Sequence, residues 1–144
     1  MATVNVYLNF DGNCEEAFLF YQSVFGGEFP YLGKFKDMPQ DENNKLDPSI
    51  AERIMHVTLP ISKETCLMGS DTGGEWTSSF KPGNNFSISI NAQSKEEADR
   101  LFKGLSAGGK VTMPLANTFW GDYFGMLEDQ FGVNWMMSFN QNQK

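Results

Sequence analysis

The chain has 144 residues, 40% hydrophobic and 14% aromatic with 13 Phe, enough for the core of one compact domain. Eleven Lys and Arg against 18 Asp and Glu leave a formal charge of −7, which argues against nucleic acid as a partner; an acidic surface either favours cationic ligands or simply keeps a protein dissolved. No apolar run is long enough to cross a bilayer and no basic, apolar leader precedes the first strand pattern, so no membrane partner and a cytoplasmic location are expected.

Residues 4–10 place Val4, Val6, Leu8 and Phe10 on one face and Asn5, Tyr7 and Asn9 on the other, the period of a strand. Asn13 is expected to cap a helix, with Glu16 completing a capping box. Ala17, Phe20, Tyr21 and Val24 follow at helical spacing, and Gly26-Gly27 ends the run. Cys14 opens this helix and Cys66 lies in a later strand pattern; without metal-type spacing, both read as free buried thiols of a reducing compartment. Three strand-like stretches follow, 28–35, 53–61 and 65–70, with Pro30 early in the first. In the second, Met55, Val57 and Leu59 alternate with Ile54, His56 and Thr58. Two polar segments, Lys36–Glu52 (with Asp-Met-Pro-Gln-Asp-Glu-Asn-Asn) and Asp71–Asn84, have the length of loops that cover a site.

The pattern then recurs. Phe86, Ile88 and Ile90 alternate with Asn85, Ser87 and Ser89, and Ser94 with Glu97 forms a second capping box. Ala98, Leu101, Phe102 and Leu105 are at helical spacing before Gly108-Gly109, and strand-like stretches 110–119, 122–128 and 133–139 follow, with Pro114 early in the first. Glu15-Glu16-Ala17 returns as Glu96-Glu97-Ala98 in the same place between strand and double glycine. Strand, cap, apolar stripe and double glycine in one order twice is an internal repeat. The predicted fold is α+β, two tandem βαβββ modules, 1–71 and 84–140, joined by loop 72–83 within a single domain 1–144, with a frayed tail at Gln141–Lys144.

A duplicated βαβββ unit resembles the vicinal oxygen chelate superfamily of glyoxalases, extradiol dioxygenases and bleomycin-resistance proteins, and more finely its PhnB-like branch. The residues carrying the resemblance are Tyr7-Leu8-Asn9-Phe10 with Gly12, Glu16-Ala17 and Phe20-Tyr21; Ile54-Met55-His56-Val57; Leu67-Met68-Gly69-Ser70-Asp71; and Phe119-Trp120-Gly121-Asp122-Tyr123-Phe124-Gly125 with Asp129, Phe131-Gly132 and Trp135. It implies a curved mixed sheet per module, the two forming a cup, and commonly a homodimer. It also implies labels naming a glyoxalase or a demethylubiquinone methyltransferase, though the latter chemistry would need a different fold and no glycine-rich nucleotide loop follows a strand. The metal-binding positions of the superfamily fall nearest Asn5, Met68, Asn85 and Met136. None is His, Asp or Glu, and a shift of two residues along each strand offers Tyr7, Cys66, Ser70, Ser87, Asn134 or Ser138, so no metal and no cofactor are expected.

His56 is the sole histidine, so any general base or imidazole ligand must be this residue, and a two-histidine metal site is excluded. It either points into the cup or is a strand histidine bonded to a neighbour. Asp122 either orients a ligand or is a strand-start carboxylate; with His56 it is a candidate catalytic residue. Asp129 reads as a turn residue, and the paired Glu at each helix start as charges on amide ends. Asn5, Tyr7, His56, Met68, Asn85, Ser87, Trp120, Phe124 and Met136 together have the composition of a small-molecule pocket, apolar and aromatic with a few polar points. Three readings stay open: a cup binding a small apolar or aromatic molecule without metal, a metal-dependent lyase, isomerase or oxygenase, and a protein acting through a dimer surface.

Overall fold

The computed structural model describes residues 2–37, 48–73 and 79–140. The chain divides into two compact units, Met1–Lys81 and Pro82–Lys144. The first contains strand β1 (Val6–Phe10), helix α1 (Cys14–Phe25), β2 (Tyr31–Lys34), β3 (Ile54–Pro60) and β4 (Cys66–Asp71), with short 3-10 turns at Phe35–Asp37 and Pro48–Ile50. Its sheet runs β1-β4-β3-β2, with β1 parallel to β4 and the other pairs antiparallel. The second contains β5 (Ile88–Asn91), α2 (Lys95–Ser106), β6 (Lys110–Asn117), β7 (Asp122–Glu128) and β8 (Asn134–Asn140), in the order β5-β8-β7-β6 with β5 parallel to β8. The described residues thus form an α+β fold of two helices and two mixed four-stranded sheets with one strand order, as the repeated pattern predicts.

In each unit the helix covers one face of the sheet. Leu8, Phe10, Val57, Leu59 and Leu67 are buried with Ala17, Phe18, Tyr21 and Val24 of α1. A Cβ at Gly69 would stand 2.6 Å from the Phe18 ring, so that ring packs directly on the backbone of β4. The second unit repeats the device: Ala98, Leu101, Phe102 and Leu105 of α2 are buried with Ile88, Leu127, Trp135 and Met137. There a Cβ at Gly125 would meet the Phe102 ring at 2.9 Å. Each buried aromatic contributes about 1.5–3 kcal/mol.

Several local expectations need correcting. Asn13 makes no side-chain cap of α1. A distant carboxylate does the work instead: Asp71, buried at the end of β4, accepts the N–H groups of Gly12 and Cys14 on Oδ1 (2.8 and 2.9 Å) and that of Ile54 on Oδ2 (2.8 Å). A charged acceptor bonds amides more strongly than a neutral amide oxygen. At α2 the capping box forms, Ser94 Oγ accepting the Glu97 N–H at 3.0 Å while Glu97 Oε1 accepts that of Gln93 at 2.9 Å. Phe18, not Phe20, is the core phenylalanine of α1; Phe20 is half-buried. Ile54 is buried alongside Val57 and Leu59 because the register slips between Gly33 and Lys34, leaving Met55 as the extra residue of a bulge. Val4 is exposed ahead of β1, and Asn85, Phe86 and Ser87 precede β5 rather than opening it. Pro30 precedes β2, while Pro114 lies in the edge strand β6, where the register slips between Met113 and Ala116. Parts of the two polar segments, 38–47 and 74–78, and the tail 141–144 lie outside the described residues, so a covering role for loops 36–52 and 71–84 and a frayed tail do too.

Candidate functional site

Strand alternation leaves each sheet one face without a helix. On the first sheet, pairing aligns Tyr7 of β1 with Met68 of β4, Met68 with Thr58 of β3, and Thr58 with Tyr31 of β2, a row of side chains across all four strands. His56 stands two residues along β3 and joins this row. The Tyr7 hydroxyl lies 3.2 Å from Nδ1 and the Thr58 hydroxyl 3.0 Å from Nε2. Both ring nitrogens are thus engaged by hydroxyl groups, each of which can donate or accept. The rings of Tyr7 and Tyr31 flank the imidazole at centroid distances of 5.6 and 5.8 Å. A Cβ at Gly33, the β2 residue opposite His56, would meet the Tyr31 ring, so glycine there lets Tyr31 lie down beside the imidazole. Tyr7 and Tyr31 remain 44% and 48% exposed, a large aromatic surface open to solvent. Asn5 lies just ahead of β1, its Oδ1 accepting the Cys66 N–H at 3.2 Å.

On the second sheet the corresponding row is Ser89, Met136, Met126 and Met113, from β5 through β8 and β7 to β6. A parallel row sets Asn91, Ser138, Phe124 and Ala116 side by side. Asp122, at the start of β7, accepts the Trp120 indole N–H on Oδ2 at 3.1 Å, and its backbone is tied to Thr118. Trp120 is 54% exposed, with edge contacts to Phe119 and Phe124. Asp129 is a turn residue: Oδ1 accepts the N–H groups of Phe131 and Val133, and Oδ2 that of the Trp135 indole.

The predicted pocket residues therefore separate by place. Tyr7, His56 and Met68 share the open face of the first sheet with Asn5 at its margin, Phe124 and Met136 share that of the second, Trp120 and Asp122 form one turn, and Asn85 and Ser87 sit ahead of β5. Sequence reasoning left Tyr31 and Thr58 out of the pocket and missed Met126. The parity of β3 pointed to Thr58, but which residue of β3 stands in one row with Tyr7 depends on pairing through β4.

The metal-binding positions implied by the resemblance do not suit a divalent cation. Asn5 spends its oxygen on a backbone amide, Met68 and Met136 bring thioethers, and Asn85 lies outside β5. Among the described residues no three His, Cys, Asp or Glu side chains are grouped to hold a metal ion. Burial drives the Cys14 thiol far above its ordinary range, which makes it a poor nucleophile. Arg53, bonded to Asp11 and Thr72, lies against Gly12 at the start of α1. No helix among the described residues is long and apolar enough to cross a membrane.

Comparison with known proteins agrees with this architecture. Residues 2–138 match the model of a family described as 3-demethylubiquinone-9 3-methyltransferase. The chain is 33% identical over 143 residues to protein YjdN of Escherichia coli K12, covering 95% of each. It is 38% identical to protein PA1353 of Pseudomonas aeruginosa, with a TM-score of 0.82 over 99% of this chain and 100% of that one. A PhnB protein of Bacillus cereus, described as a putative 3-demethylubiquinone-9 3-methyltransferase, is 27% identical with a TM-score of 0.70, over 96% and 99% of the two chains. The fold alone is shared with a glyoxalase/bleomycin resistance protein/dioxygenase family enzyme of Burkholderia phytofirmans, at 17% identity and a TM-score of 0.61 over 95% and 99%. The chain belongs to the 3-demethylubiquinone-9 3-methyltransferase family, which includes YjdN-like and PhnB-like relatives, and its fold is that of the glyoxalase/bleomycin resistance proteins.

Proposed function

We propose that this protein binds a small apolar or aromatic molecule against the open face of its first sheet, without a metal ion and without turnover. The observation carrying this reading is the row Tyr7, Met68, Thr58 and Tyr31 with His56 beside it. Two half-exposed phenol rings and a thioether offer apolar contact, and one imidazole fixed between hydroxyls offers orientation. In this reading His56 positions the ligand rather than reacting, because both of its nitrogens are engaged, while Asp122 holds the Trp120 indole in the second unit. Methyl transfer, the reaction in the family's descriptive name, finds no support in this geometry. The amides of Gly12 and Cys14, which a nucleotide-like ligand would meet at the start of α1, donate to Asp71 instead.

The reading extends to a cytoplasmic homodimer in which modules 1–71 and 84–140, with connector 72–83, serve as one domain. Two free thiols fit a reducing compartment. The edge strand β6, exposed at every residue but Leu115 and carrying Val111 and Met113, fits a surface that a second copy covers. The test is elemental analysis of freshly purified protein followed by a thermal-shift screen with small aromatics and divalent metals. Saturable stabilisation by an aromatic compound, weakened in Tyr7→Ala and Met68→Ala, supports the proposal. One equivalent of a divalent ion, with a lyase, isomerase or oxygenase activity lost to chelator, would replace it with a metal-dependent enzyme.

A further inference from the structure

The second unit also contains a polar cleft of about 520 Å³, lined by Asn91, Ala92, Gln93, Asp122, Ser138 and Asn140. It opens where β5 and β8 end and β7 begins, and all six residues belong to the second unit. Its size falls within the usual range for a small-molecule site, about 300–1,000 Å³. Its lining contrasts with the apolar row of the first sheet: amides, a hydroxyl and one carboxylate, with a single methyl from Ala92. Part of that lining is fixed in place. The Ser138 hydroxyl donates to Asn91 Oδ1 at 2.9 Å, and the Ala92 N–H donates to the Ser138 carbonyl at 2.8 Å.

Asp122 is the only ionisable group in this lining. Its Oδ2 accepts the neutral Trp120 indole N–H, and the ion pairs of Lys34 and Lys36 with Glu52 and of Arg53 with Asp11 do not involve it. A carboxylate in a polar hollow, unpaired with a cation, attracts one from solution. The chain's −7 charge adds long-range attraction for positive ligands and repels anions. Beside it the Trp120 ring, 54% exposed, presents a π-face of the kind on which ammonium groups rest. Asn91, Gln93 and Asn140 carry amides, which both donate and accept, so they suit hydroxyl or amide groups on the rest of a ligand.

We infer that this cleft is a binding site for a small hydrophilic molecule carrying a protonated amine, with Asp122 pairing the ammonium and Trp120 at its margin. The site is separate from the apolar row of the first sheet and does not depend on that reading.

The experiment is a two-dimensional proton–nitrogen NMR titration of the full chain with ethanolamine at fixed ionic strength, with ethylene glycol as the neutral counterpart. Saturable shifts are expected in the Trp120 indole and in the side-chain amides of Asn91, Gln93 and Asn140. Asp122→Asn keeps an acceptor for the indole and is expected to weaken ethanolamine about tenfold, the worth of one charge-assisted hydrogen bond. Trp120→Phe, which leaves the carboxylate in place, is expected to retain the amide shifts at reduced affinity. The inference is overturned if ethylene glycol shifts the same signals as strongly, if Asp122→Asn binds ethanolamine undiminished, or if ethanolamine produces no saturable shift there. A null result in this cleft leaves aromatic binding at Tyr7 and Met68 untouched, because the two are read on different residues.

Discussion

The open faces of the two sheets have the same strand order and present different chemistry. The first offers Tyr7, Met68, Thr58 and Tyr31 with a hydrogen-bonded His56; the second offers Ser89, Met136, Met126 and Met113. The helix-covered faces did not diverge in this way. Both use a strand glycine, Gly69 or Gly125, to admit a helix phenylalanine, Phe18 or Phe102. A buried face is held by close packing, where one added carbon is felt, whereas a face turned to solvent can change its side chains at little cost in stability. Methionine remains on the last strand of both open faces, Met68 and Met136, where a flexible thioether tolerates different neighbours.

The comparison can be broken most forcefully at the buried carboxylates, one in each unit. Asp71→Ala orphans three backbone N–H groups, and Asp129→Ala orphans two and the Trp135 indole. Each is expected to cost about 3 kcal/mol or more in urea unfolding, since one buried donor left unmade costs about 1–3 kcal/mol. Next come Gly69→Val and Gly125→Val, each expected to cost about 1–3 kcal/mol through overpacking against its phenylalanine. If one of these proved neutral, the two units would not share their packing device.

On the open faces the expected stability effects are smaller and the functional ones larger. Tyr7→Phe removes the hydroxyl beside His56 Nδ1 and is expected to cost about 1 kcal/mol or less. It should also move the His56 ring nitrogen shifts in NMR and weaken binding of aromatic compounds. Met136→Leu, close in volume, is expected to cost under about 1.5 kcal/mol and to leave His56 unchanged. Gly33→Ala should tip Tyr31 away from the imidazole, seen as loss of ring-current shift on His56, with stability barely altered because the clash is with the far end of a side chain.

The smallest effect concerns pH. The Thr72 hydroxyl and the Arg53 guanidinium hold the Asp11 carboxyl below its ordinary value. The folded chain therefore resists protonating this group more than the unfolded chain does. The resulting stability is present above the ordinary carboxylate range, about pH 4, and is lost as pH falls through the lower folded value. Asp11→Asn should flatten the acid limb of unfolding slightly, and an unchanged slope would show that the exposed pair contributes nothing.

Much of this was legible along the chain because it depends on short-range periodicity. The stripe Ala98, Leu101, Phe102 and Leu105 and the Ser94–Glu97 cap appear where spacing places them, since helix faces and caps follow from residues three or four apart. The strand alternation of Leu8 and Phe10 against Tyr7 held for the same reason. The cap of α1 was misread because Asp71 is far away in sequence and no local pattern announces it. The meeting of His56 with Tyr7 was hidden because β1 and β3 are aligned only through β4, a pairing that no local pattern announces.

By itself the sequence determined that one strand-helix-strand-strand-strand pattern is written twice and which faces are apolar, because the periods of helix and strand are properties of neighbouring residues. Only the tertiary structure decided which side chains stand in one row, which carboxylates are consumed as caps, and that Asp122 faces a polar cleft. Those outcomes depend on strand order and register, and register is set by contacts between residues far apart in the chain.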